Sequence, residues 1–295
     1  MSKALVPRNG QLAQFAGQVD NDGRLIELWL HGKSANTRSY YRADVERFLS
    51  FVGRPLPQVT LGDLQAFADA LAEEGLAPSS QARKLAVIKS LLAFGARLRY
   101  LPFDVGAAVR APSVRDRLSE RILTEEQVQK MLALETDVRN HALLRLMYGA
   151  GLRVSEACAL KWRDLQPRED AGQVNVFGKG GKTRNVLLSH GTWEELEDLR
   201  RGTDLGPEDP VFVSRKGGHL GRMQVFQIVR EAARRAGIKG KVSPHWLRHA
   251  HASHALDRGA PPHLVQATLG HANLATTSRY AHAKPTDSSA RYLAV

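Results

Sequence analysis

The chain has 295 residues, 43% of them apolar, and carries 42 lysines and arginines against 30 aspartates and glutamates, a net charge of +12. That length can bury two ordinary cores, the apolar share excludes a disordered chain, and the basic balance favours an anionic partner. A single cysteine, Cys158, excludes an internal disulfide, and with no secretory signal and no apolar run long enough to span a bilayer the sequence predicts a cytoplasmic protein without a membrane partner.

The charge is spread over the chain: +5 over residues 1–117 (16 basic, 11 acidic) and +7 over 118–295 (26 basic, 19 acidic). Two domains lying on one nucleic acid fit this distribution better than a basic arm on a neutral body. Residues 1–25 carry no clear pattern. From Ser34, the residues Tyr41, Val45, Phe48, Leu49 and Val52 share a helical face that Gly53 and Pro55 terminate. Thr60 can cap a second helix with Leu64, Phe67, Ala68 and Leu71 inward, and Pro78-Ser79-Ser80 opens a third with Leu85, Ile88, Leu92 and Gly95 on its packed face. Arg83, Lys84 and Lys89 decorate this third helix. Each alone reads as equally well a solvated charge; as a group they form a candidate phosphate-contacting face.

Residues 1–113 thus read as an N-terminal helical bundle and 114–121, around a polar stretch, as a linker. Residues 122–295 read as a second domain, mostly helical with a small antiparallel sheet, so the fold class is mainly α. Thr124-Glu125-Glu126-Gln127 is a capping box that opens it. Val138 to Tyr148 forms a helix that Gly149 and Gly151 break. Gln173–Phe177 and Arg184–Leu188 are β-prone runs around a glycine-rich turn, and Val211–Val213 is a further candidate strand. Helices are predicted over Met223–Ala236, Pro244–Arg258, Pro262–Leu269 and Ala275–Tyr280.

The chemistry concentrates in the last quarter. His245 and Arg248 stand at i and i+3 on one helix face, His249 follows, then Gly270-His271, then Tyr280 nine residues on. A guanidinium presents a planar fork that matches phosphate oxygens, and a tyrosine oxygen can attack phosphorus once a group takes its proton. A cationic pocket would favour the phenolate. Upstream, Arg153 and Glu156 follow the Gly149–Gly151 break; alone they read as a helix-start ion pair. The turn Gly178-Lys179-Gly180-Gly181-Lys182 is no P-loop, because Val176 stands where its first glycine is required and the flanks read as two strands. His245 and His249 have a zinc-helix spacing, but Trp246 replaces the glutamate of a zincin and Arg248 would repel the cation, so no metal site is assigned. His251 and His254 read as helix-face histidines, and Cys158 as a small core residue.

His245-x-x-Arg248-His249, Leu269-Gly270-His271 and Tyr280, with Gly151-Leu152-Arg153-Val154-Ser155-Glu156 and the lysine turn in order upstream, resemble the signature of the tyrosine recombinases, or phage-type integrases, in their Xer-like branch. The resemblance covers nearly the whole chain. It implies a core-binding domain followed by a catalytic domain, and a site-specific recombinase that cleaves and rejoins DNA through a covalent 3′-phosphotyrosyl intermediate. It implies catalytic roles for Arg153, Lys179, His245, Arg248, His271 and Tyr280, with Glu156 and His249 in support. Lys182 and Arg184 would contact the DNA backbone. No cofactor is implied. The partners are a double-stranded recombination site and, on it, a homo- or heterotetramer with a related recombinase, with the tail after Tyr280 docking on a neighbour; chromosome segregation is one task this would serve. A type IB-like topoisomerase and a catalytically idle DNA-binding regulator are the alternatives, and a zinc enzyme is the least favoured.

Overall fold

The computed structural model describes residues 19–169, 171–178 and 183–283. The chain divides into two compact units, Met1–Arg115 and Asp116–Val295.

Among the described residues the first unit holds four α-helices: α1 (Asp22–Leu30), α2 (Ala35–Val52), α3 (Leu61–Glu73) and α4 (Pro78–Arg97). Each start has a chemical cause. Asn21 and Ser34 accept backbone N–H groups at the first turns of α1 and α2, and Thr60 with Asp63 forms a reciprocal capping box on α3. The core joins Leu25 and Trp29 of α1 to Phe48, Phe67, Leu85, Ile88 and Leu92. Phe48 and Phe67 meet edge to face with centroids 5.1 Å apart. Helix α1 falls where the sequence reading found no pattern, although Leu25, Ile26, Trp29 and Leu30 have the spacing of a buried helical face.

The second unit is built around two helices. Helix α6 (Val138–Gly149) is apolar over much of its circumference and packs against α10 (Pro244–Asp257) and α8 (His190–Arg200). Helices α5 (Glu125–Ala133), α7 (Val154–Ala159), α9 (Arg222–Arg235), α11 (Pro262–Leu269) and α12 (Leu274–Ala283) complete the helical shell. The capping box expected at Thr124 is present. A three-stranded antiparallel meander, β1 (Leu165–Arg168), β2 (Ala171–Phe177) and β3 (Thr183–Leu188), pairs Leu165 with Val174 and Val176 with Arg184. Its buried face carries Val174, Val176, Val186 and Leu188. Strand alternation therefore turns Arg184 to the same side as Val186 and Leu188. The sheet has β1, which the sequence reading did not include. Val211–Val213 is no strand; that segment makes only isolated bridges, Lys161 with Pro210 and Val213 with His219. No helix among the described residues is long and apolar enough to cross a membrane.

The break after α6 is sharp because Gly151 adopts φ +59°, in the left-handed region. A Cβ there would stand 2.6 Å from Leu269 and 3.0 Å from the His251 ring. Gly151→Ala combines left-handed strain with overpacking, a cost of about 2–4 kcal/mol. Urea unfolding is expected to show that loss, and an unchanged midpoint would contradict the packing described.

Candidate active site

Helix α11 ends at Leu269, and Gly270 closes it in the left-handed conformation at φ +62°. The last carbonyls of such a helix have no partners within it and carry the negative end of its dipole. Here they point at arginines. Thr268 O accepts from Arg184 Nε at 2.6 Å, Leu269 O from Arg248 Nη2 at 2.5 Å, and Gly270 O from Arg153 Nη2 at 3.3 Å. Three guanidiniums from three elements thus meet at three successive carbonyls.

A single carboxylate sits among them. Glu156, buried on α7, accepts from the Arg153 backbone N–H at 2.8 Å and from Arg153 Nη1 at 2.7 Å. It also takes both Nη groups of Arg184, at 3.0 and 2.8 Å. Arg248, on α10, is 3% exposed and donates its other Nη to Gly151 O in the left-handed turn. The glycine break thereby positions both Arg153, which follows it, and Arg248, which bonds to it.

Tyr280 lies beside this cluster on α12 and is 5% exposed. Its hydroxyl is 2.8 Å from His249 Nδ1. His271 stacks on the phenol ring, with centroids 6.2 Å apart and planes 8° from parallel, and its Nδ1 is 2.9 Å from Thr277 Oγ1. His245 stacks on His249 at 5.9 Å. Tyr280 and three imidazoles thus lie beside the arginine cluster. The arrangement can hold a phosphate on guanidinium forks beside a tyrosine oxygen.

Residues 25–98 match the N-terminal SAM-like domain of phage integrases, and residues 121–287 match the Phage integrase family. The tyrosine recombinase XerD of Vibrio cholerae is 34% identical over 297 aligned positions, 96% of this chain and 94% of that protein. XerC of Xanthomonas campestris pv. campestris is 34% identical over 257, covering 84% and 79%. The chain belongs to the phage integrase family of tyrosine recombinases. The fold agrees with XerH bound to its difH substrate (TM-score 0.68, 20% identity, 99% of this chain and 90% of that one). It agrees likewise with a lambda integrase dimer on a COC′ core site (TM-score 0.72, 17% identity, 96% and 83%). The chain is a tyrosine-type site-specific recombinase of the Xer-like kind.

The electrostatics of this recombinase site differ from the sequence expectation at one point. Burial raises the Tyr280 pKa above the ordinary phenol value, although Arg248, Arg279 and Arg153 pull the other way. The cationic pocket does not by itself yield a phenolate, because the ring is shut from water. Burial opposes ionisation of Glu156 too, but the bonds from Arg184 and from the Arg153 backbone N–H outweigh it and hold the carboxyl at about 2. Burial and the neighbouring Arg153 bring Arg248 down to about 10, so it stays charged at neutral pH. Burial, reinforced by nearby cations, lowers His249 and His271 to about 4 and also depresses His245. All three rings are neutral at pH 7.

Of the residues singled out by sequence, Arg153, Glu156, His245, Arg248, His249, His271 and Tyr280 come together. Lys179 and Lys182 lie outside the described residues. The Arg184 side chain, expected on the DNA backbone, is 11% exposed here, and all three of its nitrogens donate within the protein. In the first unit, Arg83 and Lys84 both bond buried Asp44, at 2.5 and 2.6 Å, and Lys89 bonds Val109 O. Arg83 stays half exposed. His251 and His254, read as helix-face histidines, make structural bonds. His251 Nδ1 donates to Tyr148 O, and His254 donates through Nε2 to Leu123 O while accepting from the Tyr148 hydroxyl. Their partners lie over 100 residues away, beyond any local pattern. Among the described residues no group of three or more histidine, cysteine or acidic side chains could hold a metal.

The lowered imidazoles make stability depend on pH. An unfolded histidine titrates near 6.5. As pH falls below that value the unfolded chain takes up protons that the folded rings refuse until about 4. Stability from His249 and His271 is thus complete above ~6.5 and lost on acidification towards ~4. The melting temperature of the DNA-free protein is expected to fall by several degrees between pH 7 and 5, above the range where carboxylates titrate, and less steeply in a His249→Asn/His271→Asn variant. Equal slopes would refute the assignment.

Proposed function

We propose that Tyr280 attacks a phosphodiester in a specific duplex site and remains linked to the 3′ phosphate, which a second strand's 5′ hydroxyl then claims. The observation that carries this reading is the meeting of Arg153 and Arg248 at the end of α11, beside a tyrosine whose hydroxyl contacts an imidazole. Arg248 donates both Nη groups to fixed carbonyls and Arg153 one to a carbonyl and one to Glu156, and each terminal nitrogen carries a second N–H. Those remaining donors can take the non-bridging oxygens and stabilise the charge added in the transition state. The Tyr280 proton passes to an imidazole as the Oη–P bond forms; His249 Nδ1 is in contact with the hydroxyl in the DNA-free chain, and His245 and His271 support the clamp or relay the proton. The 5′ oxygen leaves with a proton from Lys179, since an arginine cannot give its proton up. Glu156 steadies Arg153.

Relatives crystallised on DNA as a dimer and as a tetramer on a Holliday junction support assembly here on double-stranded DNA. We place this chain in a homo- or heterotetramer with a related recombinase, in the cytoplasm, with chromosome segregation as a fitting task. The net charge of +12 supports electrostatic binding with a steep salt dependence.

Sequencing the DNA trapped by the wild-type protein supplies a nicked suicide duplex for testing. Tyr280→Phe is expected to bind it with unchanged affinity and to form no SDS-resistant adduct; a normal adduct yield would overturn the nucleophile. Lys179→Ala is expected to lose cleavage by orders of magnitude. A bridging 5′ sulfur, whose thiolate leaves without a proton, should restore cleavage to Lys179→Ala but not to Arg248→Ala. Rescue of Lys182→Ala instead would move the general acid three residues along the turn.

A further inference from the structure

Arg184 is a cation of the site that faces the wrong way for a DNA contact. Its strand parity sets it on the inner face with Val186 and Leu188. Its Nη groups form a fork on the two oxygens of Glu156, and its Nε closes on Thr268 O. A substituted Cβ on Gly270 would lie 3.2 Å from the Arg184 stem, so the guanidinium fills the space under the α11 turn. Arg153 is held at the two points that Arg184 organises: Glu156, and the carbonyl of Gly270 two residues past Thr268. Without Arg184, one of the two cations on Glu156 disappears and the α11 turn loses its tie to the sheet.

We infer that Arg184 is a positioning residue of the phosphate clamp, acting through Glu156 and the Thr268–Gly270 turn on Arg153 and touching no DNA phosphate. The inference rests on the proposed role of Arg153 in cleavage. It predicts an effect on rate rather than affinity. It also predicts that lysine cannot substitute, because an ammonium is a point donor and cannot bridge both Glu156 oxygens and the Thr268 carbonyl in the geometry of a planar fork. A phosphate contact would behave oppositely: lysine would serve nearly as well, and removing the charge would lower the salt slope of binding by about 1.

The test uses the full chain and the suicide duplex described above, with single-turnover adduct formation and equilibrium binding measured side by side. Arg184→Gln and Arg184→Lys are both expected to slow adduct formation at least about 30-fold, a loss of about 2 kcal/mol, with affinity within about two-fold of wild type and an unchanged salt slope. The double variant Arg184→Gln/Glu156→Gln should be little slower than the slower single variant, since both act on one unit. A lysine variant with wild-type rate, or a lowered salt slope, would make Arg184 a DNA contact and overturn the inference. So would additive rate losses in the double variant, which would leave Arg184 a support of the fold alone. Should Arg184→Gln fail to fold, Arg184→Lys keeps the charge and carries the test. Wild-type adduct in the same assay is the control: its absence would refute the recombinase chemistry itself, whereas normal wild-type adduct with unimpaired variants refutes only the role of Arg184.

Discussion

The site depends on how three like charges are kept together. Guanidiniums repel one another, and a buried one carries a desolvation penalty of several kcal/mol. Here Arg153 and Arg184 share one carboxylate, Glu156, while Arg248 bonds backbone carbonyls, so these ion pairs do not neutralise the group. The deficit is met by dipoles: the carbonyls of Thr268, Leu269 and Gly270, at the negative end of α11, and the carbonyl of Gly151. Partial charges can orient a cation without cancelling it. A net positive volume survives, fixed in place before any anion arrives, which is the condition for stabilising a transition state without reorganisation. The two left-handed glycines are what this costs the backbone: Gly151 turns the chain into Arg153 and exposes its carbonyl to Arg248, while Gly270 ends α11 where those carbonyls are needed.

The same burial that protects the clamp restrains the nucleophile. Tyr280 packs with Ile122, Ala252, Val265 and Leu269, and its raised pKa reflects that apolar shell. His249 cannot simply take the proton in this state, for its own pKa of about 4 lies far below that of the phenol. A bound phosphate changes the balance by adding negative charge beside the imidazoles, which raises their proton affinity. In the proposed reaction, proton transfer from Tyr280 is thereby tied to the presence of the phosphate. The neighbouring Arg279 bonds Asp116 at 2.8 Å, so the nucleophile's helix is anchored to the first residues of its own unit as well as to the histidines.

Much of this was legible in the residues, for identifiable reasons. The helices beginning near Ser34, Thr60 and Thr124 announced themselves because capping is local: donor and acceptor lie three residues apart. The site residues were legible because their types are unusual and their order is fixed. Apart from helix α1, what escaped depends on long-range closure. Helix α1 carries a readable apolar spacing at Leu25, Ile26, Trp29 and Leu30, with Asn21 capping its start and Gly32 just past its end, and its signal lay in the residues unread. Strand β1 has the sequence Leu-Gln-Pro-Arg, with a proline and only one buried side chain, so nothing in it reads as a strand until β2 pairs with it. Conversely, Val211-Phe212-Val213 has strand composition, yet Val211 and Phe212 are buried as part of an irregular segment.

Arg184 is the instructive case, since the signal that places it was present. The family resemblance implies a DNA-backbone contact for this residue. Counting by two from Val186 and Leu188 puts it on the inner face instead, and the register confirms this by pairing it with buried Val176. An inward arginine must find acceptors, and the carboxylate at Glu156 is a matching partner of the opposite sign. Arg153 donates from its two Nη groups, to Glu156 and to Gly270 O, and Arg248 from its two, to Gly151 O and Leu269 O. Arg184 donates from Nε and both Nη groups and is screened from solvent. Similar charges in one cluster are thus sorted by how many of their donors the fold has already engaged. In the proposed reading, the third engaged nitrogen separates Arg184, which holds the clamp in place, from the two arginines that receive the phosphate.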